Sequence, residues 1–153
     1  MRVTIFRAFP DHYRKSMEVY ADHVFGGVRA MLSEGETISE YLPVRARLQP
    51  RLARLWDQYI SYQIEARRAQ GDVNHVIDHS FGHVVHSLDT RRTVVTFHDA
   101  TVFKVADGSI GGNGVSKKTI WSLRYSLAAI RKAAAVIADS ELSRNDFIHL
   151  TDC

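Results

Sequence analysis

Two short runs in the chain end an apolar stretch with an imidazole beside a carboxylate, Val94-Val-Thr-Phe-His98-Asp99 and Val76-Ile-Asp78-His79-Ser80. A third, Val136-Ile-Ala-Asp139-Ser140-Glu141, ends in carboxylates around a serine. Imidazole exchanges protons near neutral pH and a carboxylate accepts from a hydroxyl, so such groups suit the placement and activation of a hydroxyl. In open α/β sheets ligands bind outside the carboxyl ends of the strands, where the loops diverge. His98 and Asp99 are therefore the candidate catalytic pair, and Asp78, His79 and Ser80 the neighbouring lining. The competing assignment is a histidine satisfied by a nearby carbonyl and an aspartate capping a turn.

Other chemistries find less support. His75, His79, His83 and His86 lie close together, but a strand holding His75 points it away from the following helix, and no cysteine or glutamate completes a ligand spacing. No metal is expected. A Gly-x-Ser-x-Gly nucleophile elbow is absent from the sequence. Gly26-Gly27 comes too late after the first apolar run to cradle a phosphate, and is expected to mark close helix packing or a break.

These residues need a frame. Val3–Phe6 is expected as a first strand, left through Pro10-Asp11. Met17, Tyr20, Val24, Val28 and Met31 recur at helical steps behind Ser16 as N-cap. A short edge strand is expected near Thr37–Val44, cut by Pro43. Pro50 opens a second helix with an apolar face of Leu52, Leu55, Trp56, Tyr59, Ile60 and Ile64, opposite Arg51, Arg54, Asp57, Arg67 and Arg68. Strands follow at Val73–Ile77, in the run ending at His98, and at Ala135–Ala138. Helices are expected at Phe81–Leu88, Lys118–Ala134 and from the Ser140 cap to about Leu150. The glycine-rich stretch from Lys104 to Lys118 is expected as a loop beside the cleft. Alternation of strands and helices predicts an α/β fold: one Rossmann-like domain over residues 1–153, its sheet mainly parallel, with helices on both faces.

Composition bounds the partners. The chain has 153 residues, 20 basic against 17 acidic, for a net charge of +3. That excess is too small to indicate nucleic acid. The single cysteine, Cys153, allows no internal disulfide and is taken to indicate the cytoplasm. No segment approaches the ~18 consecutive apolar residues of a spanning helix.

Asp72-Val-Asn-His-Val-Ile-Asp-His-Ser80, Arg92-Thr-Val-Val-Thr-Phe-His-Asp99 and Ala134-Ala-Val-Ile-Ala-Asp-Ser-Glu-Leu-Ser-Arg-Asn-Asp-Phe147, in this order and spacing, resemble the N-terminal domain of family 4 retaining glycosyltransferases of the GT-B fold. The resemblance covers nearly the whole chain. It implies one half of a GT-B architecture, with an acceptor-binding N-terminal domain, a C-terminal domain that binds the nucleotide-sugar donor, retention of configuration, and no cofactor or required metal. It places His98 and Asp99 nearest the reacting centre, Asp78, His79 and Ser80 on the acceptor side, and Ser16, Ser140 and Glu141 on the donor-phosphate side. The sequence departs from the pattern in two places. The family's Gly-Gly at the mouth of the first helix is replaced by Lys15-Ser16-Met17-Glu18, and its second Rossmann-like domain has no counterpart within these residues. The chain by itself is therefore expected to be inactive, with little affinity for nucleotide sugars.

Two rival readings accompany this one. A Rossmann-like module that only binds would keep the fold without the chemistry. Lys117 to Lys132, with Ile120, Trp121, Leu123 and Leu127, reads as a basic amphipathic helix resting peripherally on an anionic membrane, against the simpler expectation that its apolar side covers the sheet.

Overall fold

The computed structural model describes residues 1–9, 15–44 and 51–152; the turn expected at Pro10-Asp11, the helix start at Pro50, the side chains of Arg51, Leu52 and Arg54, and Cys153 lie outside them. Five strands, β1 (Arg2–Phe6), β2 (Thr37–Tyr41), β3 (Val73–Val76), β4 (Thr93–Phe97) and β5 (Ala135–Ala138), form one sheet in the order β2-β1-β3-β4-β5. Every pairing is parallel. Parallel neighbours need long crossovers, which the intervening helices supply. The order reverses between β1 and β3, where the first crossover leaves in one direction and the later ones in the other.

α1 (Lys15–Met31) packs Tyr20, Ala21, Val24 and Val28 on Val3, Ile5 and Ile77. Three expectations for it fail. Ser16 is the second helical residue and not the N-cap, and Met31 is 84% exposed at the far end. Gly26 and Gly27 neither break the helix nor pack closely, since an added Cβ would meet nothing within 4 Å at either.

The opposite face carries the larger core. Phe6, Val76, Val95 and Phe97 from the sheet meet Tyr62, Ala66, Val84, Val85, Leu127 and Ile130 from the covering segments. Those segments are α3 (Tyr62–Ala69), a 3-10 helix His79–Ser87, α5 (Lys117–Ile130) and, beyond β5, α6 (Glu141–Thr151); α2 (Arg51–Trp56) and a π-helical stretch Asp57–Ser61 lead into α3. α4 (Thr101–Ala106) occupies part of the stretch expected as loop. The π stretch overturns the expected apolar face of the second helix. Wider turns rotate the side chains, so Asp57, Tyr62 and Ala66 are buried while Trp56, Ile60 and Ile64 face outward. Leu123, Leu127 and Ile130 of α5 are buried, so this helix covers the sheet. Among the described residues no helix is long and apolar enough to cross a membrane.

Candidate functional site

The carboxyl ends of β1, β3, β4 and β5 meet in one polar rim. β4 delivers His98 directly after Phe97, whose ring packs on Phe147 of α6 and fixes the strand end. The His98 ring turns back across the sheet, with Nε2 2.9 Å from Ile77 O and Nδ1 3.1 Å from Asp139. Both partners are acceptors, so both contacts are hydrogen bonds at once only when each ring nitrogen carries a hydrogen. The side chain is 9% exposed, a correction to its expected place in a wet cleft. Tyr20 of α1 packs edge-on against it at 4.9 Å.

Other groups hold the rim together. Ser143 Oγ bridges His98 O and Asp139, 2.8 Å from Oδ1. His79 packs on Phe97 at 4.7 Å, and its Nδ1 accepts from the His98 amide at 3.4 Å. Asp78 is buried and caps the 3-10 helix by accepting from Ser80 N at 2.8 Å. Ser80 serves through its carbonyl, which accepts from Ser126 at 3.2 Å. Asp99 is exposed and accepts from Thr101 N at 2.8 Å, starting α4. Burial alone would raise its carboxyl, yet the Thr101 bonds and the nearby His79 and His98 rings hold it below the ordinary carboxylate range.

The expected residues thus divide. Asp78, His79, His98 and Asp99 gather at adjacent strand ends. Ser140 caps α6, its Oγ accepting from Ser143 N at 3.0 Å, while Glu141 is exposed and pairs with Arg144 at 3.0 Å. Ser16 stands apart in the exposed first turn of α1.

Beside the rim, at the β1/β3 reversal, a cavity of about 280 Å³ opens between Arg7, Phe9, Met17, Asp22, Ile77 and Asp78. Arg7 Nη2 donates to Asp22 at 2.6 Å and contacts Glu40 at 2.7 Å, so carboxylates on α1 and β2 neutralise the guanidinium. Sequence reasoning passed over Arg7, Asp22, Tyr20 and Ser143. A cation directly after the first apolar run is the available signal for Arg7; the periodicity that holds Tyr20 marks a helix face and not a rim contact.

Behind the rim, His75 Nε2 bonds Thr96 Oγ1 at 2.8 Å, and burial with the neighbouring His98 lowers its pKa to about 4. His83 is fully buried in the helical layer with Nε2 on Gln58 O at 2.8 Å, and burial lowers it to about 4 despite that bond. Among the described residues no group of three or more His, Cys, Asp or Glu side chains is arranged to hold a metal. Comparison with protein-family models, with curated proteins and with solved structures gave no match.

Proposed function

We propose that the chain is the acceptor-side half of a retaining glycosyltransferase that uses a nucleotide-sugar donor. The observation that carries this reading is the cavity at the β1/β3 reversal, bordered by Asp22 and Asp78, with the His98–Asp139 pair at the neighbouring strand ends. Its apolar floor of Phe9, Met17 and Ile77 suits the face of a sugar-sized ring, and carboxylates at its edge accept from hydroxyls. Transfer joins an acceptor oxygen to the anomeric carbon as the bond to the diphosphate breaks. This half contributes the placement of that oxygen. Arg7 is already neutralised, which supports a hydroxyl-bearing ligand here and a donor diphosphate held elsewhere.

Calorimetry with a panel of saccharides and nucleotide sugars tests the reading. Weak saccharide binding, reduced by Asp22→Asn, is expected, with negligible binding of nucleotide sugars. Micromolar affinity of the chain alone for a nucleotide sugar would overturn it.

One observation favours a second reading, a non-catalytic binding module: both ring nitrogens of His98 are engaged inside the chain. Sugar transfer on adding a C-terminal donor-binding domain separates the two.

A further inference from the structure

The chain contains two tryptophans, and both are on the surface, Trp56 at 61% and Trp121 at 59% exposure. Exposure of this size is unusual for the largest apolar side chain, and here it is shared. Trp56, Ile60 and Ile64 follow at four-residue steps, with Ile60 40% and Ile64 48% exposed. Tyr59, between Trp56 and Ile60, reaches Trp121 of α5 at 6.1 Å, and Trp121 stacks on Tyr125 at 5.5 Å with the rings 2° from parallel. Tyr59 therefore joins the segment that exposes Trp56, Ile60 and Ile64 to the aromatic pair on α5. This surface differs from the α5 face expected from the sequence, since Leu123 and Leu127 are turned into the core.

Three cations stand beside Trp121, and Asp107 is the carboxylate nearest them on the groove. Lys117, Lys118 and Arg124 stand four and three residues before and three after Trp121, which puts all three beside its ring on the helix surface, and all are exposed. Arg7 pairs with Asp22, Lys104 with Asp146 and Arg144 with Glu141. Among the described residues no carboxylate pairs with Lys117, Lys118 or Arg124. A groove of about 550 Å³ runs beside them between Phe103, Ile120, Trp121, Arg124 and Leu150, with Asp107 on its border.

From this surface we infer that the chain docks on a lipid bilayer rich in anionic headgroups, with Trp56 and Trp121 at the interface and Lys117, Lys118 and Arg124 against the phosphates. Tryptophan is favoured at the headgroup level, and cations beside it supply attraction to the negative surface. A protein partner would be expected to offer carboxylates to the three cations and to bury the rings from water. A second copy brings the same cations face to face. The bilayer meets both the rings and the charge.

Because the two tryptophans are the only ones, intrinsic fluorescence reports the surface alone. The full chain is mixed with vesicles of phosphatidylcholine, and with vesicles in which part of it is replaced by phosphatidylglycerol, across a salt series. Expected are a blue shift and quenching by brominated lipid with the anionic vesicles, both weakening as salt rises. Phosphatidylcholine alone should produce neither. Each cation near the surface contributes roughly 1 kcal/mol, so Lys117→Gln with Lys118→Gln should lower partitioning about thirtyfold at 1.4 kcal/mol per tenfold. Trp56→Phe and Trp121→Phe read the rings one at a time, and circular dichroism checks that the exposed substitutions leave the fold intact. Unchanged emission with anionic vesicles overturns the inference. So does blue emission without lipid accompanied by a doubled mass, which would assign the surface to a second copy.

Discussion

His98 Nε2 lies 2.9 Å from the carbonyl of Ile77, so the side chain at the end of β4 bonds the backbone at the end of β3. Ile77 is 2% exposed, and its carbonyl loses this partner if the ring is removed. His98→Ala should therefore lower stability by about 1–3 kcal/mol, the usual range for stranding a buried acceptor. Thermal and urea unfolding measure it. A change below about 0.5 kcal/mol, typical of a surface position, would show that the clasp between the strands contributes little.

Burial lowers three histidines, His75, His83 and His86, and the two large shifts, at His75 and His83, make the fold sensitive to acid. His75 and His83 have pKa values of about 4 in the folded chain, below the ordinary 6.5, because burial disfavours their charged forms. The unfolded chain binds more protons between these values, so their contribution is complete above about pH 6.5 and is lost as pH falls towards 4. Each contributes at most ~3 kcal/mol, from 1.36 kcal/mol per pKa unit. Urea midpoints from pH 7.5 to 4 should fall steeply, and less steeply in His75→Asn. A pH-independent midpoint over this range would contradict the buried neutral rings.

The glycines separate into two groups. Gly26 and Gly27 lie inside α1 with open space where a Cβ would stand, so Gly26→Ala and Gly27→Ala should each stabilise by roughly 0.5–1 kcal/mol. At Gly71 an added Cβ would sit 2.4 Å from Arg2 O, and that backbone is held in the sheet. Gly71→Ala should cost about 1–3 kcal/mol. Denaturation of the three variants tests whether the pair in α1 has any structural duty; loss of stability in Gly26→Ala would show that it does.

Ser140 is a stabilising cap by geometry. Its Oγ accepts from Ser143 N at 3.0 Å, and Ser140→Ala should cost about 1 kcal/mol, recovered in large part by Ser140→Asp. Equal destabilisation by both variants would show that the hydroxyl serves some other contact.

Strand and helix alternation was legible because apolar runs and periodic faces repeat along the chain. Four of the five strands start and end within a residue or two of the expected places, and the Ser140 cap was visible as a serine before a helical pattern. The π stretch was not. Asp57–Ser61 is wound by contacts made far away, with Gln58 O taken by His83 and Tyr59 bonded to Ser122 at 2.6 Å, and local periodicity carries no trace of either. Thr101–Ala106 was missed for a different reason, since a single helical turn of β-branched residues ahead of glycines reads as loop. At the rim the residue types were legible and their orientation was not. That His98 turns inward is decided by Ile77 and Asp139, which are 21 and 41 residues away in the chain.

The order β2-β1-β3-β4-β5 also sets a timetable for synthesis. β1 is made first yet stands inside the sheet, with Phe6 beside Tyr41 on one side and Val76 on the other. Residue 76 follows residue 6 by roughly 4–14 s at ribosomal elongation rates of about 5–20 residues per second. For that interval the apolar Val3-Thr-Ile-Phe6 segment has at most one neighbour, supplied by the edge strand β2. The nascent chain therefore carries this apolar strand half-paired for seconds, and slower translation ahead of residue 73 should lengthen the period in which it can be captured by a chaperone or by another nascent chain.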